Sequence, residues 1–195
     1  MDRETELALV DGLRRRDAAA FDVVYDAYRS RLFNFLLRCC RRRELAEDLL
    51  EETWLRVATS ASGLRPDTRL APWLFTVARN LYWSYCRSRM VEDRFEAALP
   101  SPWPVAAPRP SPFEEAAAGE LERRVERALA LLPSRTREVL VLVGIQGLTP
   151  AEAAVVCGIT PEAMRQRLAR ARSLLSEMIG ASVRDDAPEK KGATP

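Results

Sequence analysis

Between Thr160 and Leu175 the chain carries Arg165, Gln166, Arg170 and Arg172 among Glu162, Ala163, Ala169 and Ser173. Side chains of these types act through hydrogen bonds: a guanidinium offers a planar fork of donors, a carboxamide a donor beside an acceptor. In the major groove those groups pair with guanine and adenine respectively. Alanine at 163 and 169 would let a helix backbone approach such a surface closely. Covalent chemistry has little to start from. The chain contains no histidine, which removes both the commonest general base and the commonest metal ligand. No glycine-rich phosphate loop and no nucleophile with a base partner stands out, which argues against a helical enzyme. Cys39, Cys40, Cys86 and Cys157 form no C-x-x-C pair, and adjacent Cys39 and Cys40 are poorly placed to bridge each other. The expectation is a non-enzymatic protein with reduced thiols, no cofactor and no structural metal. The thiols read as core or incidental, with oxidation sensing as the alternative.

Two further sets of residues invite a partner. Glu44, Glu47, Asp48, Glu51 and Glu52 fall at i, i+3, i+4, i+7 and i+8, so they share one helical face. Like charges so placed repel by a few tenths of a kcal/mol per pair. Either a basic partner covers the stripe, or it is a solvated face offset by Arg41 to Arg43. Downstream, Trp73, Phe75, Tyr82, Trp83 and Tyr85 mix with Arg79, Asn80, Arg87 and Arg89. Aromatic and basic residues together make a stacking platform for unpaired bases. Aromatics on a helix are also core material, and Trp73, Val77 and Leu81, spaced by four, read as including core positions.

The elements that must position these groups are helical nearly throughout. Asp17 reads as the N-cap of a helix through Phe21, Val24, Tyr25, Tyr28, Leu32, Phe35 and Leu36, giving out around Arg38 to Arg43. A second helix covers about Glu44 to Ala58 and a polar stretch follows from Thr59 to Thr68. A third runs from about Leu70 or Pro72 to Met90, with proline tolerated in the first turn. After a proline-rich interval, one helix runs from about Phe113 to Leu132, stopped by Pro133. Another runs from Ser134 or Arg135 to Gln146, with Gly147 as its stop. Thr149-Pro150-Ala151-Glu152 is a T-x-x-E capping box with proline at the first helical position. Gly158 supplies a left-handed turn, Thr160-Pro161-Glu162 opens the next helix by the same device, and small Ala154 sits where two helices cross. This is a helix-turn-helix, whose second helix turns Met164, Leu168, Ala171 and Leu175 inward. An αα-hairpin with a solvated arginine face is the bland alternative.

The stretch PSPWPVAAPRPSP, Pro100 to Pro112, disfavours helix and sheet alike and marks a boundary. The fold class is therefore all-α: two small helical domains joined by a Pro-rich linker, the C-terminal one a helix-turn-helix (winged-helix-like four-helix) domain. The expected limits are 1–95 for the N-terminal domain, 96–115 for the linker, 116–180 for the C-terminal domain and 181–195 for a disordered tail. With 47% hydrophobic residues the chain has enough apolar material for packed cores. Its N-terminus lacks the basic flank and apolar run of a signal peptide, and no stretch nears the roughly 18 apolar residues of a membrane span. A soluble, cytoplasmic protein without membrane insertion is expected.

Taken in order, these pieces resemble the extracytoplasmic-function sigma factors, promoter-recognition subunits of bacterial RNA polymerase. The family pattern D-L-x-Q-E-x-F reads here as Asp48-Leu49-Leu50-Glu51-Glu52-Thr53-Trp54, followed by the loop Ser60 to Arg69 and by Pro72-Trp73-Leu74 with Ala78-Arg79-Asn80. The C-terminal pattern reads as Leu132-Pro133-Ser134-Arg135-Thr136-Arg137-Glu138-Val139-Leu140, then Gly147-Leu148-Thr149, Ala154, Gly158 and Gln166-Arg167-Leu168-Ala169-Arg170-Ala171-Arg172. The resemblance implies that Asp48, Leu49 and Glu52 dock on core polymerase. It implies that Leu64, Arg65, Asp67 and Thr68 in the loop, with Arg79 and Asn80 on the next helix, read a melted −10 element. Arg165, Gln166, Arg167 and Arg170 would read the −35 duplex. Promoter DNA, core RNA polymerase and an anti-sigma factor are the implied partners. Val155 is apolar where the family is often charged, which implies contact with another surface. The rival reading is an autonomous helix-turn-helix regulator that binds duplex DNA as a dimer.

Overall fold

The computed structural model describes residues 1–96 and 119–185. The expectations for the proline-rich linker, for a helix start near Phe113 and for tail residues 186–195 lie outside the described residues.

Helix α1 (Arg3–Arg14) precedes the first expected helix. Asp2 caps it, accepting a hydrogen bond from the Thr5 N–H. Its buried residues Val10 and Leu13 face α2 (Ala18–Cys40). The approach is close: a Cβ on Gly12 would stand 2.5 Å from the Cβ of Ala20. Asp17 caps α2 as the sequence implied, accepting from the Ala19 N–H. From α2, Val24, Tyr28, Leu32, Phe35 and Leu36 are buried. Phe21 and Tyr25 pack on Trp54, with ring centroids 5.7 and 4.8 Å away.

The chain leaves α2 through Arg41 at φ 59, a left-handed turn made without glycine. It then forms α3 (Arg43–Ser60), a short 3-10 turn (Ala61–Gly63) and α4 (Leu70–Glu96). In α4 the fully buried row is Leu70, Leu74, Ala78 and Tyr82, with Phe75 beside it. Trp73, Val77 and Leu81 form the neighbouring row and are only partly buried against the core. Both rows are apolar at the same spacing, so periodicity alone did not separate them. Phe75 meets Phe35 edge-on at 5.4 Å, joining α4 to α2 at the centre of the N-terminal core.

Among the described residues, the C-terminal unit comprises α5 (Glu120–Leu131), α6 (Ser134–Leu140), α7 (Pro150–Cys157) and α8 (Pro161–Asp185). The helix expected to reach Gln146 is α6 prolonged by a π turn over Val141–Ile145 and halted at Gly147, φ +69. Helix α8 continues past Ala181, where the tail was expected, to Asp185. No strand occurs among the described residues.

The two units pack directly on each other, α4 along α7 and α2 against α6. Arg137 of α6 is the central rivet. Its guanidinium donates to the carbonyls of Leu129 at 2.8 Å, Ala130 at 3.0 Å and Leu132 at 2.8 Å, ending α5. It also donates to Cys39 at 3.1 Å and Arg38 at 3.3 Å, ending α2. Carbonyls at a helix C-terminus lack intrahelical donors and carry partial negative charge, so one buried cation satisfies two helix ends. Around it, Arg38 pairs with Glu126 at 2.7 Å, and Arg41 and Arg31 donate to the carbonyls of Ala130 and Gln146.

Candidate nucleic-acid interface

The helix-turn-helix is built as its caps dictate. Thr149 accepts from the Glu152 N–H at 3.2 Å while the Glu152 carboxylate accepts from the Thr149 N–H at 2.9 Å. Gly158 ends α7 in the left-handed region at φ +63, where a side chain would be strained. Thr160 opens α8 by accepting from the Ala163 N–H at 3.2 Å. Ala154 is buried at the crossing, and Met164, Leu168 and Ala171 are buried beneath α8, with Leu175 partly so. Arg165, Gln166, Arg167 and Arg170 are all exposed. At 100° per residue Gln166 stands opposite the buried row, Arg170 lies beside it one turn on, and Arg165 and Arg167 flank it. Arg165 is held by Glu162 on the same helix, which orients its guanidinium along the outer face.

The loop before α4 is ordered by its own side chains. Arg65 pairs with Asp67 at 3.0 Å, and the Thr68 hydroxyl donates to the Arg65 carbonyl at 2.7 Å. From α1, Arg3 donates to the Asp67 carbonyl at 2.8 Å. Glu6, also in α1 and buried, accepts from the Leu70 N–H at 2.8 Å and from Arg3 at 2.6 Å, and forms an ion pair with Arg69 at 3.0 Å. Burial alone would raise the Glu6 pKa, but the bonds from Arg3 and the Leu70 N–H and the charges of Arg69 and Arg3 hold it below the ordinary range. Helix α1, absent from the sequence reading, thus braces the base of the loop. The signal for it was Asp2 three residues before Thr5, followed by Glu6, Val10 and Leu13 at helical spacing. Arg65 and Asp67 are exposed and Thr68 is half-exposed, whereas Leu64 is buried and anchors the loop to the core.

On α4, Asn80 is exposed and Arg79 is largely covered, with 13% of its side chain accessible. The expected stacking platform is not presented as one surface. Phe75 and Tyr82 are in the core, and the Tyr82 hydroxyl donates to the Cys39 carbonyl at 3.1 Å. Trp83 donates its Nε1–H at 2.8 Å to Glu138 of α6, and the same carboxylate oxygen accepts from Arg79 Nε at 2.7 Å. The Arg135 guanidinium lies over the Trp83 ring, 4.8 Å from its centroid.

Along α3, Glu44, Glu47, Asp48 and Glu51 are exposed on one face, with Glu52 half-exposed. Arg43 pairs with Glu47 and Arg56 with Glu52, each four residues away, so part of the repulsion is relieved locally. Leu49 is buried. The leucine that the acidic face presents is Leu55, 64% exposed and in line with Asp48 and Glu51, a position that sequence reasoning passed over. Val155 on α7 is 67% exposed.

Cys39 and Cys157 are buried thiols of low reactivity. Burial first, then the Glu138 charge, pushes Cys157 up to about 11 and Cys39 well above the ordinary range. Among the described residues no cluster of acidic or cysteine side chains is arranged to hold a metal ion, and no helix is long and apolar enough to cross a membrane.

Comparison with known proteins agrees with this geometry. The family description Sigma-70 region 2 matches residues 24–91, and Sigma-70 region 4 matches residues 122–175. RNA polymerase sigma factor CarQ of Myxococcus xanthus is 34% identical over 169 residues, covering 86% of this chain and 94% of that protein. ECF RNA polymerase sigma factor EcfG of Rhodopseudomonas palustris is 34% identical over 145 residues, 74% of this chain and 77% of that one. Among solved structures, sigma factor RpoE in complex with anti-sigma factor NepR, from Bartonella quintana, superposes with a TM-score of 0.69. The identity is 25%, over 82% of this chain and 96% of that one. CnrH in complex with the cytosolic domain of CnrY shares the fold at a TM-score of 0.69 and 23% identity, covering 91% and 98% of the two chains.

Proposed function

This chain belongs to the extracytoplasmic-function RNA polymerase sigma factors, which direct promoter-specific transcription initiation, and from that premise we propose how its surfaces divide the work. Helix α3 docks on core polymerase through Asp48 and Glu52, with Glu51 extending the charge and Leu55 supplying an apolar centre. Leu49 supports that face from within. The loop and α4 read the melted −10 strand through Arg65, Asp67, Thr68, Asn80 and, once uncovered, Arg79, while Leu64 holds the loop in place. Helix α8 reads the −35 duplex through Arg165, Gln166, Arg167 and Arg170. The observation that carries the reading is that exposed row on α8, set opposite Met164, Leu168 and Ala171. A guanidinium and a carboxamide there have the donor pattern that guanine and adenine accept in the major groove.

The chain acts in the cytoplasm as a binding subunit without covalent chemistry, and a protein of the anti-sigma kind holds it inactive. The solved complexes of RpoE with NepR and of CnrH with CnrY support that last part. No observation favours an autonomous dimeric regulator.

Transcription in vitro from genomic DNA, with core polymerase plus this chain, tests the proposal: new start sites are expected that core alone does not use. Arg165→Ala with Gln166→Ala should weaken those starts by about 1–3 kcal/mol per lost base contact while core binding is retained. Asp48→Arg with Glu52→Arg should abolish core association. Identical defects from both pairs, or no redirected initiation by the wild-type chain, would overturn the division.

A further inference from the structure

The loop before α4 makes a β-turn over residues 65–68. The Thr68 N–H donates to the Arg65 carbonyl at 3.1 Å, and Pro66 sits at the second position, where its fixed φ suits such a turn. Further bonds hold both flanks: the Thr68 hydroxyl donates to the Arg65 carbonyl at 2.7 Å, and Arg3 donates to the Asp67 carbonyl at 2.8 Å. On this turn Arg65 and Asp67 lock side chain to side chain. Arg65 Nε donates to Asp67 Oδ1 at 3.2 Å and its Nη2 to Oδ2 at 3.0 Å, a bidentate pair. Both groups remain open to solvent, with 82% and 65% of their side chains accessible.

A guanidinium carries its N–H donors in one rigid plane. Asp67 occupies one edge of that plane, the Nε–H with one Nη2 hydrogen. The outward edge keeps one hydrogen on each terminal nitrogen, side by side and parallel, and no other group among the described residues takes them up. We infer that this outward edge is a base-reading fork whose ligand is a base with two adjacent acceptors, and that Asp67 is its positioning residue. Guanine offers O6 beside N7, and unpaired cytosine offers O2 beside N3. Adenine sets its N6 amino donor next to N7, and each thymine carbonyl adjoins the N3–H. Against those bases one hydrogen of the fork meets a donor or nothing. The inference rests on the loop being the −10 reader and adds which bases it accepts.

The Asp67 carboxylate also decides between a base and the backbone. A free arginine on a nucleic-acid surface is drawn to phosphate. The Arg65–Asp67 pair is neutral overall, so that attraction is largely cancelled while the outward donors are kept. A phosphate would also have to approach the Asp67 charge. An exposed ion pair adds little to stability, so its consequence here is orientation. The fork is set before any ligand arrives, and binding need not freeze a long side chain.

Binding of the full chain to short single strands tests this without polymerase. The probes are fluorescent oligothymidine strands carrying one central guanine, cytosine or adenine, or thymine throughout, titrated at low salt by anisotropy. Strands with guanine or cytosine should bind on the order of tenfold more tightly than those with adenine or thymine. A loss of that affinity with 7-deazaguanine, which lacks the N7 acceptor, assigns the guanine edge; a preference for cytosine assigns O2 and N3. Arg65→Gln should erase the preference. Asp67→Asn retains the backbone bonds of the turn but frees the guanidinium, so it should bind every strand more tightly, with steeper salt dependence and less discrimination. Loss of loop shape alone would weaken binding and leave the salt slope unchanged. Equal or absent binding of all strands by the wild-type chain, or wild-type preference retained in Arg65→Gln, would overturn the inference. Transcription with core polymerase from promoters randomised over the −10 element is the second arm, where Arg65→Gln should remove a guanine or cytosine preference at one position. Strands that discriminate while the chain redirects no initiation would refute the proposed function and leave the fork standing.

Discussion

Glu6 shows how much one side chain decides. Its carboxylate gathers the first amide of α4 and two arginines, and so holds the N-terminal end of α4 against α1. Its pKa is depressed in the folded state, so the stability it contributes is fully present above the unfolded glutamate value of about 4.3 and is lost as pH falls through the lower folded value. Glu6→Gln should cost about 1–3 kcal/mol near neutral pH, the loss of charge-assisted hydrogen bonds to a buried acceptor. In thermal melts the gap between variant and wild type should shrink steadily below that unfolded value. A gap that stayed constant down to acid would show that Glu6 contributes by shape alone. Residue types were legible in the sequence at this scale, and exposure was not. Leu49 and Leu55 are both leucines on the acidic helix, yet one is in the core and the other on the surface. Leu64 looked available in a polar loop and is buried, because a loop pinned by Arg3 at its far side must also be anchored at its near side.

At the scale of elements, local chemistry decided most boundaries. The Asp17 cap, the Thr149 capping box, the Gly147 stop and the Gly158 turn all act within a few residues of themselves, which is why they could be read directly. The π turn at Val141–Ile145 was not visible that way. Composition there is ordinary, and the widened turn brings Leu142 and Leu148 into the core together. Helix α1 contains a test of packing against propensity. Alanine outranks glycine in a helix interior by about 1 kcal/mol, so Gly12→Ala would stabilise an isolated α1. In the fold its Cβ would meet that of Ala20 at 2.5 Å, and neither atom can rotate away. Overpacking costs about 1–3 kcal/mol, so the variant should be net destabilised, with a lower melting temperature. An unchanged or raised value would mean that α1 shifts freely on α2.

For the whole molecule, two binding surfaces on one chain imply weak parts and a strong sum. The free chain should bind duplex promoter DNA poorly and with steep salt dependence, since phosphate contacts dominate an isolated helix-turn-helix. Joined to core polymerase, both readers act at high effective concentration on one promoter, and affinity should rise by orders of magnitude. Titration of labelled promoter with and without polymerase across a salt series checks this. Nanomolar binding by the chain alone would contradict it.

What the sequence determined by itself was the set of helices from α2 onward, the helix-turn-helix with its outward arginine and glutamine row, the acidic stripe and the family. Each depends on periodicity, caps or motif order, which are local along the chain. The tertiary structure alone decided which of two equally apolar rows of α4 enters the core, that Leu55 rather than Leu49 is presented, and that Arg79 meets Glu138. Burial and ion pairing between residues 59 positions apart depend on how separate helices pack, and no local pattern encodes that.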